Sequence, residues 1–243
     1  MSCLHEQLHD PGLQLVIQLL LLVVFSAQGA GAFDWRAWTV QPWSVAGLAG
    51  WIGAPLLHGS GGHLAANSMA LLLLGTLAGS VYPRATLPAL PLLWIGGGIG
   101  AWLLGEPGSH HLGASGLTHG LGFLVFTLGV LRRDRASIAA ACIAFFLYGG
   151  MLMTVLPREA GISWESHLGG AIAGVACAIA LRRRDPVPPR KRYSWELEEE
   201  LDPDATEHDT LEPARPNDVP VIWHRDVQHH ERGTIVEFPK RDP

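Results

Sequence analysis

"HHLGASGLTHGLGFLVFTLGVL" occupies residues 110–131. It begins polar at His110 and His111, sets Ser115 among Gly113, Ala114 and Gly116, and places His119 one helical turn later. It then runs apolar to Leu131, with no Asp, Glu, Lys or Arg between Glu106 and Arg132. A bilayer-spanning helix needs about 20 predominantly apolar residues. The same uncharged windows recur outward along the chain, between Asp10 and Asp34, Arg84 and Glu106, and Arg135 and Arg158. The charged fraction is 16%, against about 25% in an ordinary soluble domain. Mean hydropathy is +0.22. These features define an all-α, polytopic integral membrane protein.

Three widely spaced cysteines, Cys3, Cys142 and Cys177, make no disulfide framework. The latter two fall in apolar windows, where cysteine behaves as a small hydrophobe. No Cys/His spacing suggests a metal site, and no cofactor or nucleic-acid partner is expected. The net charge of −5 reflects an acidic C-terminal region.

Six spans are expected, over 13–32, 61–81, 85–104, 114–131, 136–156 and 166–181. The first ends in a stretch faintly like a signal-peptidase site, but no Lys or Arg precedes it, so a retained helix is the reading. The connection after it carries Trp35, Trp38, Trp43 and Trp51, a residue type favoured at membrane interfaces. Lys/Arg bias in short loops sets orientation. Arg84, then Arg132, Arg133 and Arg135, then Arg182, Arg183 and Arg184 all fall on one side of a six-span topology. That side is read as cytoplasmic, with both termini there, and a bacterial inner membrane fits best. The expected organisation is a six-helix membrane domain over 1–184 and a mostly disordered acidic tail over 185–243. The tail's composition buries too little apolar surface to fold alone. Its histidines, His208, His224, His229 and His230, are read as solvated.

Ionisable or strongly polar side chains at membrane depth are functional candidates. His63 and Asn67 open the second span, Ser115 and His119 the fourth, and His167 the sixth. All three helix starts face outward in this topology, so the candidates share one depth. His63 and Asn67 are spaced i, i+4 on one helix face, as are Ser115 and His119. Gly116 and Gly120, like Gly170 and Gly174, form small-xxx-small patterns that let membrane helices approach closely. The fourth and sixth helices should therefore bring Ser115 beside His167.

A hydroxyl near an imidazole is the minimum of an activated nucleophile. Free backbone N–H groups at a helix start, with Asn67 and His63 as side-chain donors, could stabilise an oxyanion. No third carboxylate is evident in the spans, which suggests a Ser–His dyad. Each piece also has a plain reading. The serine motif suits a small-residue helix start, His63 with Asn67 a polar interhelical clamp, and His167 an interfacial anchor. His119 suits helix packing as well as catalysis. His58, His110 and His111 lie in loops and are most simply exposed, a metal-binding cluster being the minor alternative. The conjunction favours chemistry.

Over roughly residues 35–181 the sequence resembles the rhomboid family of intramembrane serine proteases. The family's second-helix signature appears as His58, His63 and Asn67, its GxSG motif as Gly113, Ala114, Ser115 and Gly116, and its last-helix histidine and glycines as His167, Gly170 and Gly174. The resemblance implies a six-helix rhomboid-like bundle that cleaves peptide bonds in or near transmembrane segments of membrane-protein substrates. It implies Ser115 as nucleophile, His167 as general base, and His63, Asn67 and the Ser115 amide as the oxyanion hole. His58, Gly113, Gly116, His119, Gly170 and Gly174 would support the site. Two departures stand out. His119 occupies the place where the family often has Tyr, and the Trp35–Arg36 pair lies far from His58. The expected partners are transmembrane substrates and the lipid bilayer. The competing readings are a catalytically inactive rhomboid-like protein that binds transmembrane clients, and a transporter using the histidines as a relay.

Overall fold

The computed structural model describes residues 11–157, 161–186 and 193–194. The chain divides into one unit of residues 1–188 and another of residues 189–243, and every helix named here lies in the first. The tail expected from 185 onward falls largely outside the described residues.

The helices are α1 (Pro11–Gly29), α2 (Gly50–Gly53), α3 (Gly61–Val81), α4 (Pro83–Leu104), α5 (Ser115–Arg132), α6 (Arg135–Tyr148), α7 (Met151–Thr154) and α8 (Trp164–Leu181). Among the described residues the only β pairing is an isolated bridge between Val40 and His111. By length and composition, α3, α4 and α8 are long and apolar enough to cross a membrane.

Helix ends follow local chemistry. Ser60 caps α3 by accepting from the His63 amide at 3.1 Å, and Asp134 caps α6 by accepting from Ser137 N at 3.0 Å. Pro83 sits at the start of α4, where its missing N–H costs nothing, so this helix begins earlier than 85. The segment read as one span over 136–156 is split. Gly149 and Gly150 follow α6, and each costs about 1 kcal/mol in a helix interior. The last helix begins at Trp164, so Glu165 is in its first turn, where the helix dipole favours an anion.

Leu74, Leu93, Leu121, Leu124 and Leu128 are fully buried between α3, α4 and α5. Large apolar side chains such as Phe146, Val45 and Ile172 instead face outward. An apolar exterior around an interior rich in small residues is the pattern of a helical bundle in lipid. The chain is an integral membrane protein.

Helix α8 is held by glycines on two sides. A Cβ on Gly170 would strike the Gly116 carbonyl of α5, and one on Gly169 would strike the Gly96 carbonyl of α4. These close approaches set the depth at which His167 meets α5. The long connection before α3 folds as 3₁₀ turns at Trp35–Trp38, Ala46–Ala49 and Ala54–Leu56 around α2. It is pinned to α4 by Trp102, whose Nε1 donates to the Ser44 carbonyl at 2.9 Å, and by Trp94 Nε1 donating to Ile52 O at 3.2 Å.

Candidate active site

Three helix starts converge. Gly113 precedes α5 with φ +112°, a conformation that side-chain-bearing residues avoid, and its amide donates to Ala54 O at 2.8 Å. A Cβ at this glycine would lie 2.5 Å from His63 Cε1 and 3.6 Å from Asn67 Nδ2. The absence of a side chain is what lets the α3 residues reach the loop leading to Ser115. Ala114, the N-cap of α5, has no side-chain acceptor. The first amides of that helix, including that of Ser115, therefore have no intrahelical partner and no side-chain cap.

Ser115 Oγ lies 2.9 Å from His167 Nε2. The other ring nitrogen, Nδ1, lies 2.9 Å from the Thr154 carbonyl oxygen. A carbonyl only accepts, so Nδ1 carries the proton and Nε2 presents its lone pair to the serine hydroxyl. His167 is 6% exposed, shielded from bulk solvent. A hydroxyl held against an unprotonated imidazole nitrogen can give up its proton as it attacks a carbonyl carbon.

His119 is stacked on His167, with ring centroids 3.9 Å apart and planes 12° apart. Its Nδ1 lies 2.7 Å from Ser115 O, and its Nε2 lies 2.9 Å from Thr154 Oγ1. Between the two readings of this residue, the geometry is that of a packing partner for His167. Asn67 is buried, and its Nδ2 has no hydrogen-bond partner among the described residues.

The loop histidines differ from expectation. His58 is 1% exposed, not solvated, and its ring stands edge-on to His63 at 5.1 Å. Its backbone is clamped by Gln28, which donates to His58 O at 3.0 Å and accepts from His58 N at 3.2 Å. Burial, with the His63 ring adding to it, pulls the His58 pKa down to about 4. His111 is also mostly buried, because its backbone pairs with Val40 and its ring packs against Ser163 at the start of α8. His110 is exposed, as expected of a loop residue, with Nδ1 2.7 Å from Thr39 Oγ1. Among the described residues no group of three or more His, Cys, Asp or Glu is placed to hold a metal ion.

Sequence reasoning missed two contributors. Thr154 supplies both of its oxygens to the imidazoles, yet in "MLMTVLP" its only signal is a polar residue within an apolar run. Ser166 Oγ approaches Gly97 and Gly116, where α4, α5 and α8 meet, and a lone serine at the start of an apolar run carries no local signal of that contact.

The model of the Rhomboid domain matches residues 41–184, more than half of the chain. An uncharacterized protein of Mycobacterium tuberculosis (strain ATCC 25618 / H37Rv) is 42% identical over 154 residues, covering 58% of this chain and 62% of that relative. An uncharacterized protein of Mycobacterium leprae (strain TN) is 38% identical over 136 residues, covering 53% and 54% respectively. The chain thus spans less than two thirds of the length of these curated relatives. With its helical membrane bundle and the matched domain spanning all three helix starts, the chain belongs to the rhomboid family.

Proposed function

We propose that this rhomboid is an active intramembrane serine endopeptidase, with Ser115 as nucleophile and His167 as general base. The observation that carries the reading is the 2.9 Å contact between Ser115 Oγ and His167 Nε2. As Oγ attacks the scissile carbonyl carbon, the hydroxyl proton passes to Nε2. The tetrahedral oxyanion is met by the Ser115 amide, Asn67 Nδ2 and His63, donors preorganised where charge develops. Asn67 Nδ2, buried and unpaired, suits that role. Collapse of the intermediate breaks the C–N bond, and His167 returns the proton to the leaving amine. Water then attacks the acyl-serine by the same route in reverse, freeing the second product and the serine hydroxyl.

The proposed substrates are membrane proteins cut in or near a transmembrane segment. A substrate helix must unwind to present its scissile bond, so Gly or Pro near the cut lowers that cost. The proposed topology has six spans, the α6–Gly149–Gly150–α7 segment counting as one, with both termini cytoplasmic in a bacterial inner membrane. The Lys/Arg distribution supports it.

Reaction of the purified chain with a fluorophosphonate probe tests the assignment, with Ser115→Ala and His167→Ala as controls. Labelling and cleavage of a reconstituted transmembrane substrate that vanish in both variants are expected. Wild-type protein that neither labels nor cleaves would favour an inactive, client-binding rhomboid.

A further inference from the structure

The ring of His119 obeys the same constraint as that of His167. Its Nδ1 faces the Ser115 carbonyl at 2.7 Å, so Nδ1 carries the proton. Its Nε2 lies 2.9 Å from Thr154 Oγ1, whose single hydroxyl proton also has the Met151 carbonyl in reach at 3.0 Å. The same residue's carbonyl receives Nδ1–H of His167 at 2.9 Å. One residue at the end of α7 therefore addresses both stacked imidazoles, each through a different oxygen.

We propose that Thr154 is a positioning residue for the reaction, its carbonyl serving where a triad would have a carboxylate and its hydroxyl holding His119 as a neutral stacking partner. This rests on the assignment of Ser115 and His167 as the dyad. In a triad the carboxylate holds the base in the correct tautomer and orientation. Here no carboxylate contacts His167 among the described residues, and the main-chain oxygen makes that hydrogen bond instead. The hydroxyl acts one step removed. Set between the Met151 carbonyl and His119 Nε2, it holds that nitrogen at 2.9 Å and fixes the ring. The His119 ring is thereby kept parallel to that of His167. When His167 becomes imidazolium, it lies against the face of a neutral aromatic ring, an arrangement favourable to a cation.

Three versions of the full chain in detergent micelles test this. Thr154→Val keeps the carbonyl and the shape but leaves His119 Nε2 unpaired, whereas Thr154→Ser keeps both oxygens. Replacing Val155 by its α-hydroxy acid turns the 154–155 amide into an ester, which weakens the Thr154 carbonyl as acceptor and removes the Val155 N–H, leaving the Thr154 side chain intact. We expect kcat for a transmembrane substrate to fall about tenfold in Thr154→Val, with KM within about twofold, and Thr154→Ser to stay near wild type. The ester should also lower kcat, and should shift the His167 Nδ1–H resonance in ¹⁵N-histidine spectra assigned with His167→Ala. Wild-type kcat in Thr154→Val, failure of Thr154→Ser to rescue, or an Nε2-protonated His167 in the wild type would overturn the proposal. The spectra need no turnover, and fluorophosphonate labelling of the wild type reports on Ser115 separately. A failure of the dyad assignment is thereby distinguished from a failure of Thr154.

Discussion

His111 and Glu165 join the segment that delivers Ser115 to the helix that delivers His167. Glu165 Oε2 lies 3.9 Å from His111 Nδ1, and Ser163 Oγ sits between them, 2.6 Å from the ring and 3.4 Å from the carboxylate. On its far side the ring meets Ser109 Oγ at 2.8 Å. The His111 backbone is also fixed, exchanging hydrogen bonds of 3.0 and 2.9 Å with Val40. His111 precedes Ser115 by one helical turn's worth of chain, and Glu165 lies just before His167. The network thus helps set the spacing of Ser115 and His167 from one end of the bundle, while Thr154 contacts His167 from α7.

Removing the carboxylate should therefore cost both stability and rate. Glu165→Ala leaves Ser163 and His111 without their anionic partner in a mostly buried setting, a loss of about 1–3 kcal/mol. We expect a lower thermal midpoint in micelles and slower cleavage, with Glu165→Gln intermediate because its amide oxygen still accepts. Wild-type values for both quantities in Glu165→Ala would show that the network does not position the dyad.

Acid should weaken the fold through His58. Its pKa in the folded chain is about 4, chiefly because burial disfavours the cation, against 6.5 when unfolded. Between those values the unfolded chain binds a proton that the folded chain does not. Stability is then complete above about pH 6.5 and is lost as pH falls, by at most about 1.4 kcal/mol per unit. Midpoints measured from pH 7 down to pH 5 should decline in the wild type and decline less in His58→Gln. Equal slopes would remove His58 as the source.

The bundle was legible because its signal is compositional. Uncharged windows and small-xxx-small glycines survive any uncertainty about side-chain geometry, and α3, α4, α5 and α8 fall where they predict. Ser115 and His167 were legible as a pair because helix periodicity and Gly170 constrain where His167 can sit. The loops were less readable. Burial of His58 and His111 depends on Gln28 and Val40, partners distant in sequence that no local pattern connects. Thr154 was invisible for a different reason. Its contact to His167 is made by a main-chain carbonyl, which every residue type has, so residue identity carries no trace of it.

Two glycines should respond oppositely to alanine. A Cβ at Gly170 falls on the Gly116 carbonyl, a backbone atom that cannot swing aside. Gly170→Ala must part α5 from α8, and overpacking of this kind costs about 1–3 kcal/mol. It should also draw His167 away from Ser115 and abolish fluorophosphonate labelling. Gly150 has φ −58° and ψ −24°, and nothing lies near its would-be Cβ. Gly150→Ala should raise stability by about 0.4–1 kcal/mol by narrowing the unfolded ensemble. Unfolding curves for the two variants side by side provide the check, and matching behaviour would refute the packing argument.

The stacked pair makes a graded expectation for His119. Aromatic pairs contribute about 0.5–1.5 kcal/mol beyond simple burial, equivalent to roughly a two- to tenfold change in rate. His119→Ala removes both the ring and its two hydrogen bonds and should lower kcat by about tenfold or more. His119→Phe retains the stack and should lose less. If Phe and Ala are equally impaired, the hydrogen bonds to Ser115 O and Thr154 Oγ1 carry the effect rather than the stacked ring.

The remaining expectation concerns the opposite end of the bundle, where the chain leaves α8. Asp185, the first residue of the stretch expected as a mostly disordered acidic tail, is buried. Its carboxylate accepts from Arg84 N at 2.9 Å and Ala85 N at 3.0 Å, the amides that open α4. Tyr82, the local N-cap of α4, contributes no side-chain acceptor, so Asp185 caps this helix from another part of the chain. Arg132 Nη1 completes the clasp by donating to the Asp185 carbonyl at 2.8 Å. Losing a helix cap costs about 0.5–2 kcal/mol, and an anion beside exposed helix amides is further favoured by the helix dipole. Asp185→Ala should therefore unfold at lower denaturant than the wild type, whereas Arg183→Ala, at an exposed neighbouring position, should change stability by no more than about 0.5 kcal/mol. Because the clasp ties the end of α8 to the start of α4, the Asp185 variant should also loosen the seat of His167 and slow cleavage modestly. Coincident unfolding curves for Asp185→Ala and Arg183→Ala would mean that the clasp contributes nothing to the fold.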